Sequence, residues 1–300
     1  MIHVTANAKI NLSLEIIGRR DDGFHELISV MQAIDLSDEL VALPSMDGSL
    51  SFECNDPALT ESDENTVMTA ARLLRESLGI EQGARLLLRK SIPVAAGLGG
   101  GSADGAAALV ALSLLWDVPV RRERLLEIGA AVGSDVPFFL GESATALVEG
   151  RGESITALPS MPAAWAVILV PEVPVPSPKT RVLFRMLDES MFGGGEGTRR
   201  LRGLIEEGEP LPSILPYVAM TNTFNVVADR AFPGIGRFRE SLAGAVEGEA
   251  NVSLSGAGPS LYAVLATQEG AERVAGVLMQ AGLALIVAGM AERPLSVLER

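Results

Sequence analysis

The chain has 300 residues and a formal charge of −14, with 48% hydrophobic and 21% charged residues. That is a globular profile with a sizeable core in one large or two ordinary domains, and its acidity argues against nucleic acid or an anionic membrane as partner. It leaves phosphorylated ligands open, because phosphate sites rest on local backbone N–H groups and a few cations. Cys54 is the only cysteine, which excludes an intrachain disulfide and reads as a half-buried structural thiol. His3 and His25 are too few and too isolated for a zinc site.

The beginning of the chain has no apolar signal core, since Lys9 and Asn11 interrupt it. Alternation predicts strands over 10–16, 39–43 and 49–54, and helical spacing predicts a helix over 64–78. A strand over 84–92 closes at Pro93, and a helix rich in Ala and Leu is expected over 103–116. Another helix follows over 121–132, ended by Gly133, and then short apolar strands over 144–149 and 165–170. Pro159 and Pro162 between these strands mark a change of domain. The four prolines of 171–178 demand an extended connection, and 193–197 reads as a flexible surface loop. From about Asn251 the order is strand, glycine turn, strand, helix, strand. The uncharged stretch 274–291 reads as helix, turn and buried strand and not as a membrane span. Cytoplasmic residence is the expectation.

The segment Pro93-Val94-Ala95-Ala96-Gly97-Leu98-Gly99-Gly100-Gly101-Ser102 lies between a predicted strand and a predicted helix. Its glycines let backbone N–H groups approach a ligand with no Cβ in the way, and the helix start adds a positive end. A Walker loop would end in Gly-Lys-Ser/Thr, and the dinucleotide fingerprint needs a third glycine where Ser102 or Asp104 stands. A tightly packed steric turn is the plain alternative, but this many glycines at a helix start favour phosphate.

This run resembles the central motif of the GHMP kinases. Ala8-Lys9-Ile10-Asn11-Leu12 is similar to their N-terminal motif, and Leu254-Ser255-Gly256-Ala257-Gly258-Pro259-Ser260 to their third. The resemblance spans nearly the whole chain and implies a two-domain α/β (α+β) fold. A domain over 1–160 would contain a left-handed βαβ crossover, and a ferredoxin-like α+β domain over 161–300 would face it across the active-site cleft.

It also implies small-molecule phosphorylation with ATP and Mg²⁺, by a monomer or weak homodimer. Pro93, Ala95, Ala96, Gly97, Leu98, Gly99, Gly100, Gly101 and Ser102, with Asn65 and Lys90, would hold the nucleotide. Ser255, Gly256 and Gly258 would form the third glycine motif. Ser102 is the possible metal ligand; no carboxylate is assigned to the metal, and Asp104 can be read as favouring its helix start. Asp135, in Gly133-Ser134-Asp135-Val136-Pro137-Phe138-Phe139, would be the base and Lys9 its cationic partner. Lys9 stands among alternating apolar residues, a costly place for an unpaired charge.

Asp22-Gly23-Phe24-His25-Glu26-Leu27 is similar to the opening of the family members that act on a cytidine-diphosphate-linked polyol. There His25 would read the cytosine edge and Phe24 stack on its ring. Thr180 and Phe184 match a Thr-x-x-x-aromatic pattern whose ring covers the other face, and Asn11 would contact the substrate. Plain alternatives stand beside each reading: a helix cap for Asn65, a solvated strand end for Lys90, a core position for Phe184, and a turn with Phe24 tucked in and His25 solvated. Other GHMP kinases, acting on homoserine, mevalonate derivatives or sugars, and a nonenzymatic ligand-binding member remain the competing functions.

Overall fold

The computed structural model describes residues 1–60 and 65–299. Two long strands, β1 (Ile2–Arg19) and β2 (His25–Ser45), form an antiparallel hairpin that runs the length of the molecule. Period-two alternation explains β1. Its even residues from Ile2 to Ile16 are buried and pass in turn through three hydrophobic clusters. The odd residues of its second half, Lys9, Asn11, Ser13 and Glu15, are polar yet also buried. A strand polar on one face normally turns that face to water; here it becomes the floor of a cleft.

The two halves of β2 take different partners. Residues 39–45 pair with β4 (Gly83–Arg89), and residues 27–32 pair with β5 (Thr145–Gly150). β3 (Leu50–Cys54) runs parallel to β4, joined to it through α1 (Thr66–Leu78). Asn65 Oδ1 caps α1 by accepting from Val67 N and Met68 N, and Gly79 ends it in the left-handed region with φ 62°. The predicted start of this helix at Glu64 lies outside the described residues. β6 (Ser154–Ala157) pairs with β5 at the sheet's edge.

α2 (Gly100–Leu115) lies against this sheet beside α1, and α3 (Arg122–Val132) and the single turn α4 (Val136–Phe139) pack on these helices. α2 begins three residues before the expected Ala103, inside the glycine run itself. Its small residues bring it close against α1 and the long hairpin, so it is buried almost all round.

The second sheet has the order β10–β7–β9–β8, all antiparallel: β7 (Trp165–Leu169), β8 (Ser253–Leu254), β9 (Leu261–Leu265) and β10 (Leu285–Gly289). α7 (Ile235–Val246) and α8 (Gln268–Gln280) flank it. The stretch 274–291 is helix, turn and strand as expected, but β10 is an edge strand with Val287 exposed, not a buried one. β11 (Leu295–Glu299) returns to the first sheet and pairs with β1. No described helix is long and apolar enough to cross a membrane.

Two shorter helices lie along the cleft: α5 (Lys179–Met186) and α6 (Glu196–Glu206). The expected flexible surface loop over 193–197 is corrected here. Gly195 is buried and donates its N–H to the buried Glu15 carboxylate (3.1 Å), which also accepts from Thr198 N (2.7 Å) and Oγ1 (2.8 Å). A buried carboxylate needs such donors, so Glu15 of β1 pins the start of α6. The glycine count was read as freedom; the glycines instead admit close contact.

Candidate active site

The phosphate loop leaves β4 and is held in shape from behind. Ser255 Oγ donates to Gly97 O (2.9 Å) and Ser260 N to Ala96 O (3.1 Å), while Lys9 N donates to Leu98 O (2.9 Å). Gly97 and Gly99 sit at φ +88° and +76°. No side chain caps α2, whose cap residue is Gly99, so its first N–H groups point into the cleft with the positive end of the helix. Pro93 to Ser102 line one chamber of about 360 Å³ with Asn65, Thr66, Lys90 and Asp104. Of the third motif, Gly256 reaches the cleft, whereas Ser255 and Gly258 stand behind the loop as its brace.

Gly97 has no room for a side chain. An added Cβ would lie 2.2 Å from Ser255 O and 2.9 Å from Gly258 O. Gly97→Ala is therefore expected to cost about 2–5 kcal/mol, from left-handed strain plus overpacking. Thermal melting checks this, and an unchanged melting temperature would contradict the packing described.

A second chamber of about 200 Å³ adjoins the first and contains Lys9, Asn11 and Asp135. Lys9 is 3% exposed. Its Nζ donates to Asn11 Oδ1 (2.6 Å) and Gly97 O (3.1 Å) and lies 3.7 Å from Asp135 Oδ2. Burial lowers the Lys9 pKa and Asp135 opposes the fall. Asn11 Nδ2 donates to Ser29 Oγ (2.9 Å), which fixes the amide that holds Lys9. Asp135 precedes α4 without using its side chain as a cap, which leaves the carboxylate free to face the cleft. The two motif residues expected to act together, 126 positions apart in sequence, do meet.

A third chamber of about 570 Å³ continues from the second and is lined by Phe24, His25, Thr180 and Phe184 with Arg19, Arg151, Arg181 and Arg185. The hairpin turn between β1 and β2 presents Phe24, 53% exposed, under the Arg151 guanidinium, 4.7 Å from the ring centroid. His25 stacks on Phe184 at 4.8 Å, and its Nε2 is buried without a partner. Burial lowers the His25 pKa and Arg19 adds to the effect, both favouring the neutral ring. The tucked-in Phe24 and solvated His25 are thus reversed. Thr180 and Phe184, one helical turn apart on α5, face the second and third chambers together.

Lys90 is not a solvated strand end. Its Nζ bonds the Asp38 carboxylate and, at 2.7 Å, Asp104 Oδ2, with the Lys90 side chain 7% exposed. Burial opposes its charge, but Asp104 and Asp38 outweigh that and raise its pKa. Asp104 pairs with Lys90 and does not serve the helix start. Burial pushes its pKa up to about 7 against the pull of Lys90, with Asp38 adding to the rise. Asp38 Oδ1 also accepts from Ser91 N (2.6 Å) and Ile92 N (2.9 Å), so the triad anchors the chain where it enters the phosphate loop.

Sequence reasoning missed Lys179 and the arginines of the third chamber. The proline-rich approach obscured Lys179; its place beside Thr180 was the available signal. The four arginines lie on three segments, β1, the turn after β5 and α5, that only the fold brings together.

Residues 65–142 match the family described as GHMP kinases N terminal domain. The chain is 39% identical over 282 residues to the 4-diphosphocytidyl-2-C-methyl-D-erythritol kinase of Dehalococcoides mccartyi, covering 94% of this chain and 95% of that one. Among solved structures, a 4-(cytidine 5'-diphospho)-2C-methyl-D-erythritol kinase superposes with TM-score 0.77 at 31% identity, covering 96% and 99% of the two chains. A homoserine kinase from Cytophaga hutchinsonii superposes with TM-score 0.74 at 20% identity over 99% and 97%, a likeness of fold alone.

Proposed function

The chain belongs to the GHMP kinase family, within it to the 4-diphosphocytidyl-2-C-methyl-D-erythritol kinases, and from that premise we propose that ATP phosphorylates the 2-hydroxyl of this cytidine-linked polyol at the junction of the three chambers. The observation that carries the reading is their order: the glycine loop and α2 first, Lys9 and Asp135 next, the aromatic and arginine chamber last. A triphosphate, a reacting hydroxyl and a cytidine diphosphate need environments in that sequence.

Phosphoryl transfer to an alcohol is mainly positioning and charge neutralisation. The loop N–H groups and the start of α2 hold the triphosphate. Asp135 takes the hydroxyl proton, and Lys9 neutralises charge beside it. His25 Nε2 reads the cytosine edge, Phe24 and Phe184 supply ring faces, and the arginines face the diphosphate. Mg²⁺ prefers phosphate and water oxygens to an all-protein cage. The described residues contain no metal-sized cluster of three His, Cys, Asp or Glu, so we assign the metal to the phosphates with Ser102 as the protein hydroxyl. When bound there, the metal would neutralise phosphate charge. We place the enzyme in the cytoplasm, as a monomer or weak homodimer, in the non-mevalonate isoprenoid route.

A coupled assay for ADP tests the reading. The cytidine-linked methylerythritol is expected to give ADP, and mevalonate, homoserine and galactose are not. Turnover of homoserine with none of the cytidine substrate would overturn it.

A further inference from the structure

Lys179 opens α5 at the point where the nucleotide chamber meets the central one. Among the described residues it is the only charged side chain that lines both. Its Nζ donates to Ala95 O in the phosphate loop (2.7 Å) and to Gly258 O in the third motif. An ammonium has three donors, so one remains. Those partners are neutral carbonyls, and no described carboxylate lies within ion-pair distance of it. Lys9, in contrast, already has Asp135 beside it, and Lys90 has two carboxylates.

The lysine content sharpens this. The chain has three lysines among 24 basic residues, and all three border the cleft. Elsewhere every cation is an arginine. A compact point charge suits a moving phosphoryl group, whereas a guanidinium fork suits a fixed carboxylate or phosphate.

We propose that Lys179 contacts the transferred phosphoryl group, its ammonium neutralising the oxygen that bridges γ-phosphorus and the leaving diphosphate while Lys9 and Asp135 attend the acceptor. The proposal rests on the kinase reading above. In the step, the bond from γ-phosphorus to the bridging oxygen breaks, and that oxygen leaves with the electron pair on ADP. A bond forms from the acceptor oxygen to phosphorus, and the hydroxyl proton passes to Asp135. Lys179 transfers no proton.

The charged groups facing Lys179 are Lys9 from β1 and Asp135 from the turn before α4, with Arg151 on the same central chamber and Lys90 and Asp104 on the nucleotide chamber. Burial, then repulsion from Lys9, lowers the Lys179 pKa to about 8 against the pull of Asp135. The ammonium is therefore present below that pH and is lost as pH rises through it.

The test compares wild type, Lys179→Gln and Lys179→Arg for kcat, KM and the pH profile of kcat/KM for ATP, with the cytidine-linked substrate saturating. Glutamine keeps a neutral N–H donor without the charge and arginine keeps the charge, so the two variants together separate a structural strap from an electrostatic contact. We expect Lys179→Gln to lose roughly 10²-fold in kcat/KM, to keep its melting temperature within a few degrees, and to lose the alkaline fall near pH 8. Lys179→Arg should recover part of the rate. Full activity in Lys179→Gln, or an unchanged alkaline fall, would overturn the proposal. Amine acetylation of the wild type, read per lysine by mass spectrometry, gives a second measure independent of variants. MgATP should slow labelling of Lys179 at least tenfold, and no protection would overturn the contact. If wild type yields no ADP from the cytidine substrate while MgATP still protects Lys179, the acceptor reading has failed and the nucleotide contact stands.

Discussion

Asp135→Asn is expected to lower kcat by roughly 10²–10⁴-fold while ATP affinity stays within a few-fold. The amide matches the carboxylate in shape and cannot take the hydroxyl proton. Asp135 is partly exposed, with 31% of its side chain accessible, and caps nothing, so the fold should tolerate the change. Its loss also leaves Lys9 without the one group that holds its charge against burial, so the neutral amine gains. Both losses act on the same step, which is why the effect should fall on kcat and not on nucleotide binding. Single-turnover kinetics with nucleotide titration separate the two. Turnover within a few-fold of wild type would mean that another group takes the proton.

The largest effect on stability should come from Lys90→Met. It leaves Asp38 and Asp104, 0% and 3% exposed, without their shared cation. Breaking a buried ion pair from one side costs about 3–5 kcal/mol, or roughly 10 °C in melting temperature for a domain of this size. Asp38 keeps two backbone donors, so the strain falls on Asp104, whose Oδ1 already lacks a partner. The sign with pH follows. Asp104 in the folded wild type sits at about 7, above the ordinary carboxylate value of 3.8, so the fold holds its proton more tightly than the unfolded chain does. Its contribution to stability falls as pH rises between those values. Without Lys90 that fall continues to higher pH, so the gap between variant and wild type should widen from pH 5.5 to pH 8. Urea denaturation at both values checks this, and adding Asp104→Asn to Lys90→Met should recover much of the loss. A gap that narrows with pH would assign the cost to another group.

What could be read from the sequence divides along a physical line. The glycine loop was legible because close backbone approach has a local signature, and α2 follows it for the same reason. The burial of Lys9 was legible from its apolar neighbours. The full length of β1 was not, because its polar residues alternate as a solvated face would; the phosphate loop and third glycine motif over Lys9 and Asn11, and α6 over Glu15, are far away in sequence. Lys90 is expected from the sequence to hold the nucleotide, with a solvated strand end as the alternative, and its ion pairs are not legible there because Asp38 and Asp104 lie 52 and 14 residues away. The loop over 193–197 was misread for a related reason: glycine composition is the same for a mobile segment and for one pressed against a carboxylate.

β11 closes the first sheet against β1, although it is synthesised after the entire second sheet. A nascent chain can therefore form the β1–β2 hairpin and its helices early, yet one edge of that sheet stays open until residues 295–299 arrive. An open edge is where strands of other chains add. Emergence of residues 295–299, and not completion of the first 160 residues, is then the moment at which this fold stops being vulnerable to mispairing.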